Sequence, residues 1–191
     1  MKILVIQGSP DAGSFNHANA LNYVEKAKQA GHEVELVDLA EADFDPVLRY
    51  GYRKHMEDES FPDSVQQKMI WADHWTIFFP VWWASEPSVL HGLLERTLTP
   101  HVAYQYKKVT DMLPAKLFKG KTADLLITSR GPAFYTRYFA GVVGRWRNGI
   151  LGYCGVKLKQ VKIMGMMHKP KDTDARRKAF IETCAATLNN K

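Results

Sequence analysis

"HWTIFFPVWWASEPSVLHGLLERTL", residues 74–98, reads as a strand, a loop and a helix in that order. His74 to Val81 is the apolar run of a strand buried inside a sheet, broken at Pro80, which has no N–H to give to a ladder. Residues 87–98 read as a helix, with Pro87 suited to its first turn. Between the two stand Trp82 and Trp83. Tryptophan carries a large ring that is costly to leave in water, so two adjacent ones in a loop directly after a buried strand need a reason.

Working outward, the same strand-then-helix pattern recurs. "KILVIQ" (2–7) is the continuous apolar run of a central parallel strand covered on both faces. Residues 17–30 repeat apolar positions at Ala18, Leu21, Val24 and Ala27 before Gly31 stops the helix. "HEVELVDL" (32–39) alternates apolar with polar, as a strand nearer the sheet edge does, and 63–72 reads as a helix capped by Asp63 or Ser64. Beyond the opening stretch, 121–129 is a further buried strand and a helix covers much of 137–152. A last strand spans 156–164, and a helix capped by Thr173 closes the chain over 173–188. Five such units predict an α/β fold, a flavodoxin-like doubly wound five-stranded parallel sheet of order 2-1-3-4-5.

The length, 191 residues, suits one domain, 1–191, and 46% apolar residues supply a core without disulfide staples or a metal. The apolar run near the start, Ile3 to Ile6, is too short for a signal peptide, and no stretch approaches the ~20 apolar residues of a membrane span. The expected location is the cytoplasm, with no membrane insertion. Cys154 and Cys184 are far apart in sequence and are expected to be reduced, buried thiols. The net charge of +6 comes from scattered positive residues interleaved with acids. That pattern fits a basic surface drawing anionic small molecules and argues against a nucleic-acid partner.

In a sheet of this order the switch point lies between strands 1 and 3, and ligands bind outside the carboxyl ends there. Three loops meet at that crevice: 8–16, 80–87 and 128–136. In the first, "QGSPDAGSFNHA", Gly8 and Gly13 have P-loop spacing, but Ser14 and Phe15 stand where Lys and Ser/Thr belong, so nucleotide hydrolysis is not expected. What remains, Ser9 and Ser14 to Asn16 before a helix start, favours an anion; the plainer reading is helix capping by Ser14 or Asn16. In the third, Thr128, Ser129 and Gly131 let a backbone approach a flat ligand, and Arg130 and Tyr135 can donate hydrogen bonds; the plainer reading is an ordinary strand-to-helix turn. Taken with the tryptophan loop, the three suit a flavin nucleotide.

These residues carry a family resemblance. "SFN" at 14–16, "FFPVWWASEPSVLHGLLER" at 78–96, "AYQY" at 103–106, "ITSRG" at 127–131 and "GILGYCGV" at 149–156 resemble, in order and spacing, the NAD(P)H:quinone oxidoreductases of the flavodoxin-like superfamily, over nearly the whole chain. These include bacterial quinone reductases, drug-activity modulators and ancillary flavoproteins of potassium-efflux systems. The resemblance implies that Ser14, Phe15 and Asn16 hold the flavin's phosphate-bearing tail, and that Pro80, Val81, Trp82 and Trp83 lie along its ring. Thr128, Ser129, Arg130 and Gly131 then cover the pyrimidine side, and Tyr135 is the catalytic tyrosine that assists charge transfer. Tyr104 and Tyr106 would line the substrate pocket of the other subunit of a homodimer. Two departures stand out: Gly141 where the animal enzymes have a histidine, and Trp82 where they have a glutamine. Arg130 or Arg137 is then left to supply the histidine's charge.

The implied function is two-electron reduction of a quinone or similar flat aromatic acceptor by NAD(P)H. It runs by ping-pong hydride transfer through flavin N5, with FAD as cofactor, FMN as the alternative, and no metal. A second reading is a flavin-holding regulatory subunit of a potassium-efflux transporter. A third, an electron-carrier flavodoxin, fits poorly, because carriers of that kind are usually acidic and do not need the 99–118 insertion.

Overall fold

The structure, a computed structural model, describes residues 1–190. Strands β1 (Lys2–Gln7), β3 (His74–Pro80) and β6 (Thr122–Thr128) are buried along almost their whole length. β2 (Glu33–Asp38) and β7 (Lys157–Met164) alternate buried or half-buried with exposed positions. That difference places the first three at the centre of a sheet and the other two at its edges, and the order is β2-β1-β3-β6-β7, all parallel. This is the expected doubly wound order. A separate two-stranded antiparallel hairpin, β4 (Tyr104–Gln105) with β5 (Ala115–Lys116), stands in the insertion between β3 and β6.

Side-chain alternation along the central strands feeds two cores, one per sheet face. Ile3, Val5, Phe78 and Leu126 pack with Ala20, Tyr23 and Val24 of α1 (Phe15–Gln29) and with Cys184 of α7 (Asp174–Ala185). Leu4, Ile6, Ile77, Phe79 and Leu125 pack on the other face against α2 (Ser60–Trp71) and α3 (Ser88–Thr97). Trp146, Leu151 and Cys154 join them there. Phe79 stacks on Trp146 with ring centroids 5.2 Å apart.

Three helix boundaries differ from expectation. α2 starts at Ser60, not at Asp63, because Pro62 falls in the first turn, where an N–H has no intrahelical partner to lose. The helix expected over 137–152 is interrupted once, between α4 (Ala133–Tyr138) and a contiguous right-handed stretch that runs through α5 (Val142–Gly144), a π-helical segment (Arg145–Leu151) and α6 (Gly152–Cys154). The break follows from Gly141, whose φ of +77° is left-handed and cannot continue a right-handed helix. The closing helix, capped by Thr173 as expected, passes into a 3₁₀ turn after Ala185. No helix among the described residues is long and apolar enough to cross a membrane.

Candidate functional site

The carboxyl ends of β1, β3, β6 and β7 open on one side of the sheet, and four loops meet there. The first is held against β3 at Gly8, whose N–H donates to Phe78 O at 2.7 Å. A Cβ at residue 8 would stand 2.4 Å from Leu90 Cδ2 and 3.0 Å from Phe78 O, so the approach requires glycine. Gln7 then folds back on the loop: its Oε1 accepts from Ser9 N–H at 2.6 Å, and its Nε2 donates to Ser9 O and to Asp38 Oδ1, each at 2.9 Å. The other Asp38 oxygen pairs with His17 Nε2 at 2.8 Å. The first loop is thus fixed to β1, β2 and α1.

The loop after β6 is fixed from the far side. Ser129 N–H donates to Met164 O at 2.9 Å, and Met167 N–H donates to Ser129 O at 3.0 Å. Thr136 Oγ1 donates to Ser129 Oγ at 2.8 Å, and Ser129 Oγ donates to Gly131 O at 3.0 Å. At Gly165 a Cβ would fall 2.4 Å from Ala133 N and 2.6 Å from Gly131 O, so the segment after β7 lies directly against this loop.

Together these loops enclose a cleft of about 520 Å³. Of the residues singled out from sequence, Ser9, Ser14, Phe15, Asn16, Pro80, Val81, Trp82, Thr128, Ser129 and Arg130 line it. Ser14 is also the N-cap of α1, its Oγ accepting from His17 N–H at 3.2 Å, so the capping reading and the cleft reading hold together. Asn16 is buried, and its Nδ2 donates to Thr128 Oγ1 at 2.9 Å, tying the first loop to the third. Its Oδ1 is buried with no partner.

Trp83, Gly131 and Tyr135 are not part of this lining. Trp83 is 101% exposed, turned out from the strand end. Tyr135 is half-exposed on α4, its ring stacked on Phe139 at 5.9 Å. Tyr104 and Tyr106 are away from the chain's own cleft, in a cluster with Tyr153: Tyr104 packs edge-on to Tyr153 at 5.1 Å, and the Tyr106 and Tyr153 hydroxyls are 2.8 Å apart. That bond, the first cause, and burial push the Tyr153 phenol up to about 12. Of the two arginines left to supply charge, Arg130 lines the cleft, whereas Arg137 donates from Nη2 to Val161 O on β7 at 2.5 Å.

A sequence profile described as the flavodoxin-like fold matches residues 1–188. A Haemophilus influenzae protein named "Uncharacterized NAD(P)H oxidoreductase" is 29% identical over 193 residues, covering 97% of this chain and 93% of its own. NAD(P)H dehydrogenase (quinone) 1 of Cavia porcellus is 30% identical over 200 residues, covering 90% of this chain and 71% of its own. The chain belongs to the NAD(P)H:quinone oxidoreductase family of flavodoxin-like proteins. The crystal structure of Smu.1420 from Streptococcus mutans UA159 shares the family's fold, with a TM-score of 0.77 and 26% identity over the whole of both chains.

In this family member the fourth loop and the first turn of α7 add lining that the sequence reading missed: Met167 and His168 from the loop and Arg177 from α7, besides Asp11 and Gly13 in the first loop. The rule that pointed to three strand ends applies equally to the end of β7, and would have found 165–173. Arg177 lies with its guanidinium 5.5 Å from the Phe15 ring and grips both oxygens of Asp172 at 2.8 and 2.9 Å. Arg177, above all, holds the Asp172 carboxyl well below its usual range, despite the opposing effect of burial. Among the described residues no group of three or more His, Cys, Asp or Glu is placed to hold a metal.

Proposed function

We propose that the cleft binds a flavin nucleotide, and that the chain uses it to pass electron pairs from NAD(P)H to a quinone or similar flat aromatic acceptor. Membership of the family makes the chain an oxidoreductase. NAD(P)H and quinone are the substrates in the relatives' names. The observation that carries the flavin reading is Asn16 Oδ1. A buried acceptor without a donor costs about 1–3 kcal/mol, and here it belongs to a residue that lines a cleft beginning at a helix N-terminus and ending at a tryptophan. A ligand that is anionic at one end, flat at the other and polar between them answers all three features.

The residues present fit such a group. Ser9, Ser14, Phe15 and Asn16 would hold its phosphate-bearing tail, where first-turn N–H groups lack intrahelical partners. Pro80, Val81 and Trp82 would face its ring, and Thr128, Ser129 and Arg130 its pyrimidine edge. At the Phe15 end of the cleft the Arg177 guanidinium, already paired with Asp172, lies 5.5 Å from the Phe15 ring; the proposed flavin is FAD, with FMN the alternative. A bound flavin would supply the two-electron chemistry, hydride transfer from NAD(P)H and, in a separate half-reaction, to the acceptor. Arg130 sets a positive charge against the edge where negative charge develops. The Tyr135 hydroxyl is the proposed proton donor there, and Tyr135, Gly131 and Trp83 would meet substrate or the second subunit at the cleft mouth.

The second subunit is part of the proposal. Tyr106, Val109, Met112 and Leu113 in the 99–118 insertion are exposed, as are Phe134, Tyr138 and Phe139 on and after α4. So much exposed apolar surface asks for a partner, and a two-fold homodimer would bring Tyr104 and Tyr106 of each copy to the other's cleft. Two free, buried cysteines fit a reducing, cytoplasmic setting. The test is to release the bound nucleotide by heat and identify it by chromatography. FAD supports the whole reading, FMN supports the flavin reading without the preference for FAD, and protein that takes up neither refutes it.

A further inference from the structure

The turn that follows β3 is strained. Trp82 N–H donates to Ser85 O at 2.8 Å and Ser85 N–H donates to Trp82 O at 2.9 Å, which closes a tight two-residue turn. Its central residues, Trp83 and Ala84, have φ of +50° and +59°. Turns with two left-handed centres are normally filled by Asn and Gly. Side chains with a Cβ hold that shape only where the surroundings enforce it.

The surroundings converge on the next residue. The Glu86 side chain is wholly buried. Its Oε2 accepts from Arg145 Nη2 and from Trp146 Nε1, the latter at 2.8 Å, and its Oε1 accepts from His91 Nδ1 at 2.6 Å. The same Arg145 Nη2 donates to Ser85 Oγ at 2.9 Å. One guanidinium therefore grips both the last residue of the turn and the acid behind it. It does so from the π-helical segment 60 residues along the chain, an irregularity of the kind often found at functional sites.

We propose that Glu86 and Arg145 are positioning residues: they clamp the Trp83–Ala84 turn in its left-handed shape and so fix the 80–82 wall of the cleft. The clamp deepens the flavin reading and depends on it only for the identity of the ligand. A buried ion pair that merely joined α3's approach to the π-helical segment would, when broken, weaken the whole domain. A clamp, when broken, frees the turn first. Relief of the strain at residue 84 should then substitute for it.

The test uses wild type, Glu86→Gln, Ala84→Gly and the double variant. Gln keeps the shape and an acceptor but loses the charge; Gly removes the steric penalty at residue 84. In flavin-free protein, Glu86→Gln is expected to speed hydrogen exchange of the Trp82 and Ser85 amides by roughly tenfold relative to the β1 and β3 amides. The double variant is expected to recover most of the protection. Titration with FAD or FMN should show the dissociation constant rising roughly tenfold in Glu86→Gln, about 1.4 kcal/mol, with recovery in the double variant. Should Glu86→Gln fail to fold, Arg145→Lys serves instead, since a single ammonium cannot reproduce the guanidinium's planar fork. Unchanged turn amides, or exchange raised equally across the sheet with no rescue by Ala84→Gly, would overturn the proposal. If wild type binds neither flavin, the flavin reading fails, and the exchange result still decides the clamp.

Discussion

Asn16→Ala separates a residue kept for a ligand from one kept for the fold. In the empty protein the Asn16 amide makes one bond, to Thr128 Oγ1, and leaves Oδ1 buried and unpaired. Losing the bond leaves the buried Thr128 Oγ1 without its partner, which costs about 1–3 kcal/mol, and removing the unpaired oxygen returns about 1–3 kcal/mol. Alanine in the first turn of α1 adds a few tenths more, roughly 0.5 kcal/mol, from helix propensity. The flavin-free variant should therefore lie between about 1.5 kcal/mol less stable and about 2.5 kcal/mol more stable than wild type. With flavin bound a ligand hydroxyl would give Oδ1 its donor, and one hydrogen bond of about 1–1.5 kcal/mol corresponds to roughly a tenfold weaker dissociation constant in the variant. Urea denaturation of flavin-free protein gives the first quantity and quenching of flavin fluorescence gives the second. A loss of more than about 2 kcal/mol in the empty protein with unchanged flavin affinity would show that Asn16 serves the fold alone, and the reasoning from its orphaned oxygen would be refuted.

Gly165→Ala should cost about 1–3 kcal/mol and weaken flavin binding, because the new Cβ meets backbone atoms of 131–133, which cannot rotate away as a side chain would; denaturation and flavin titration on the same protein check both. Tyr104→Ala/Tyr106→Ala should keep flavin and lose acceptor turnover. Mixed with a flavin-binding-dead variant, it should recover one good site per heterodimer, and no recovery would exclude shared sites. Asp172→Asn should be less stable than wild type at neutral pH. The folded carboxyl is depressed, so its contribution is complete above the ordinary Asp value of 3.8 and disappears as pH falls through the lowered value. Urea melts at descending pH should therefore show the gap between the two proteins closing only below that ordinary value; a gap constant across pH would contradict the assignment.

The central strands were legible because burial on both faces leaves a continuous apolar run, as in Ile3 to Ile6 and Ile77 to Phe79. Their order followed from the alternation with helices. The broken helix after Tyr138 was not legible, since Val142, Trp146 and Leu151 are apolar and buried whichever helical geometry carries them. Only the left-handed Gly141 decides it, and glycine in sequence does not state its φ. At the site, Asn16 and Trp82 could be placed from the loops alone. The outward turn of Trp83 could not, because it depends on Glu86 meeting Arg145 across 59 positions. The Tyr104–Tyr106 pair was visible as a motif, but its association with Tyr153 rests on a hairpin of two-residue strands too short to leave a pattern.

The central claim is that this cleft holds a flavin that takes electrons from NAD(P)H and hands them to a quinone. Anaerobic mixing of the flavin-loaded protein with NAD(P)H, followed by addition of menadione, tests it in one cuvette. The account predicts that the flavin absorbance bleaches with the donor alone and returns in full when the quinone is added. A flavin that stays oxidised in the presence of both NADH and NADPH, or that bleaches and does not recover with menadione, would contradict it.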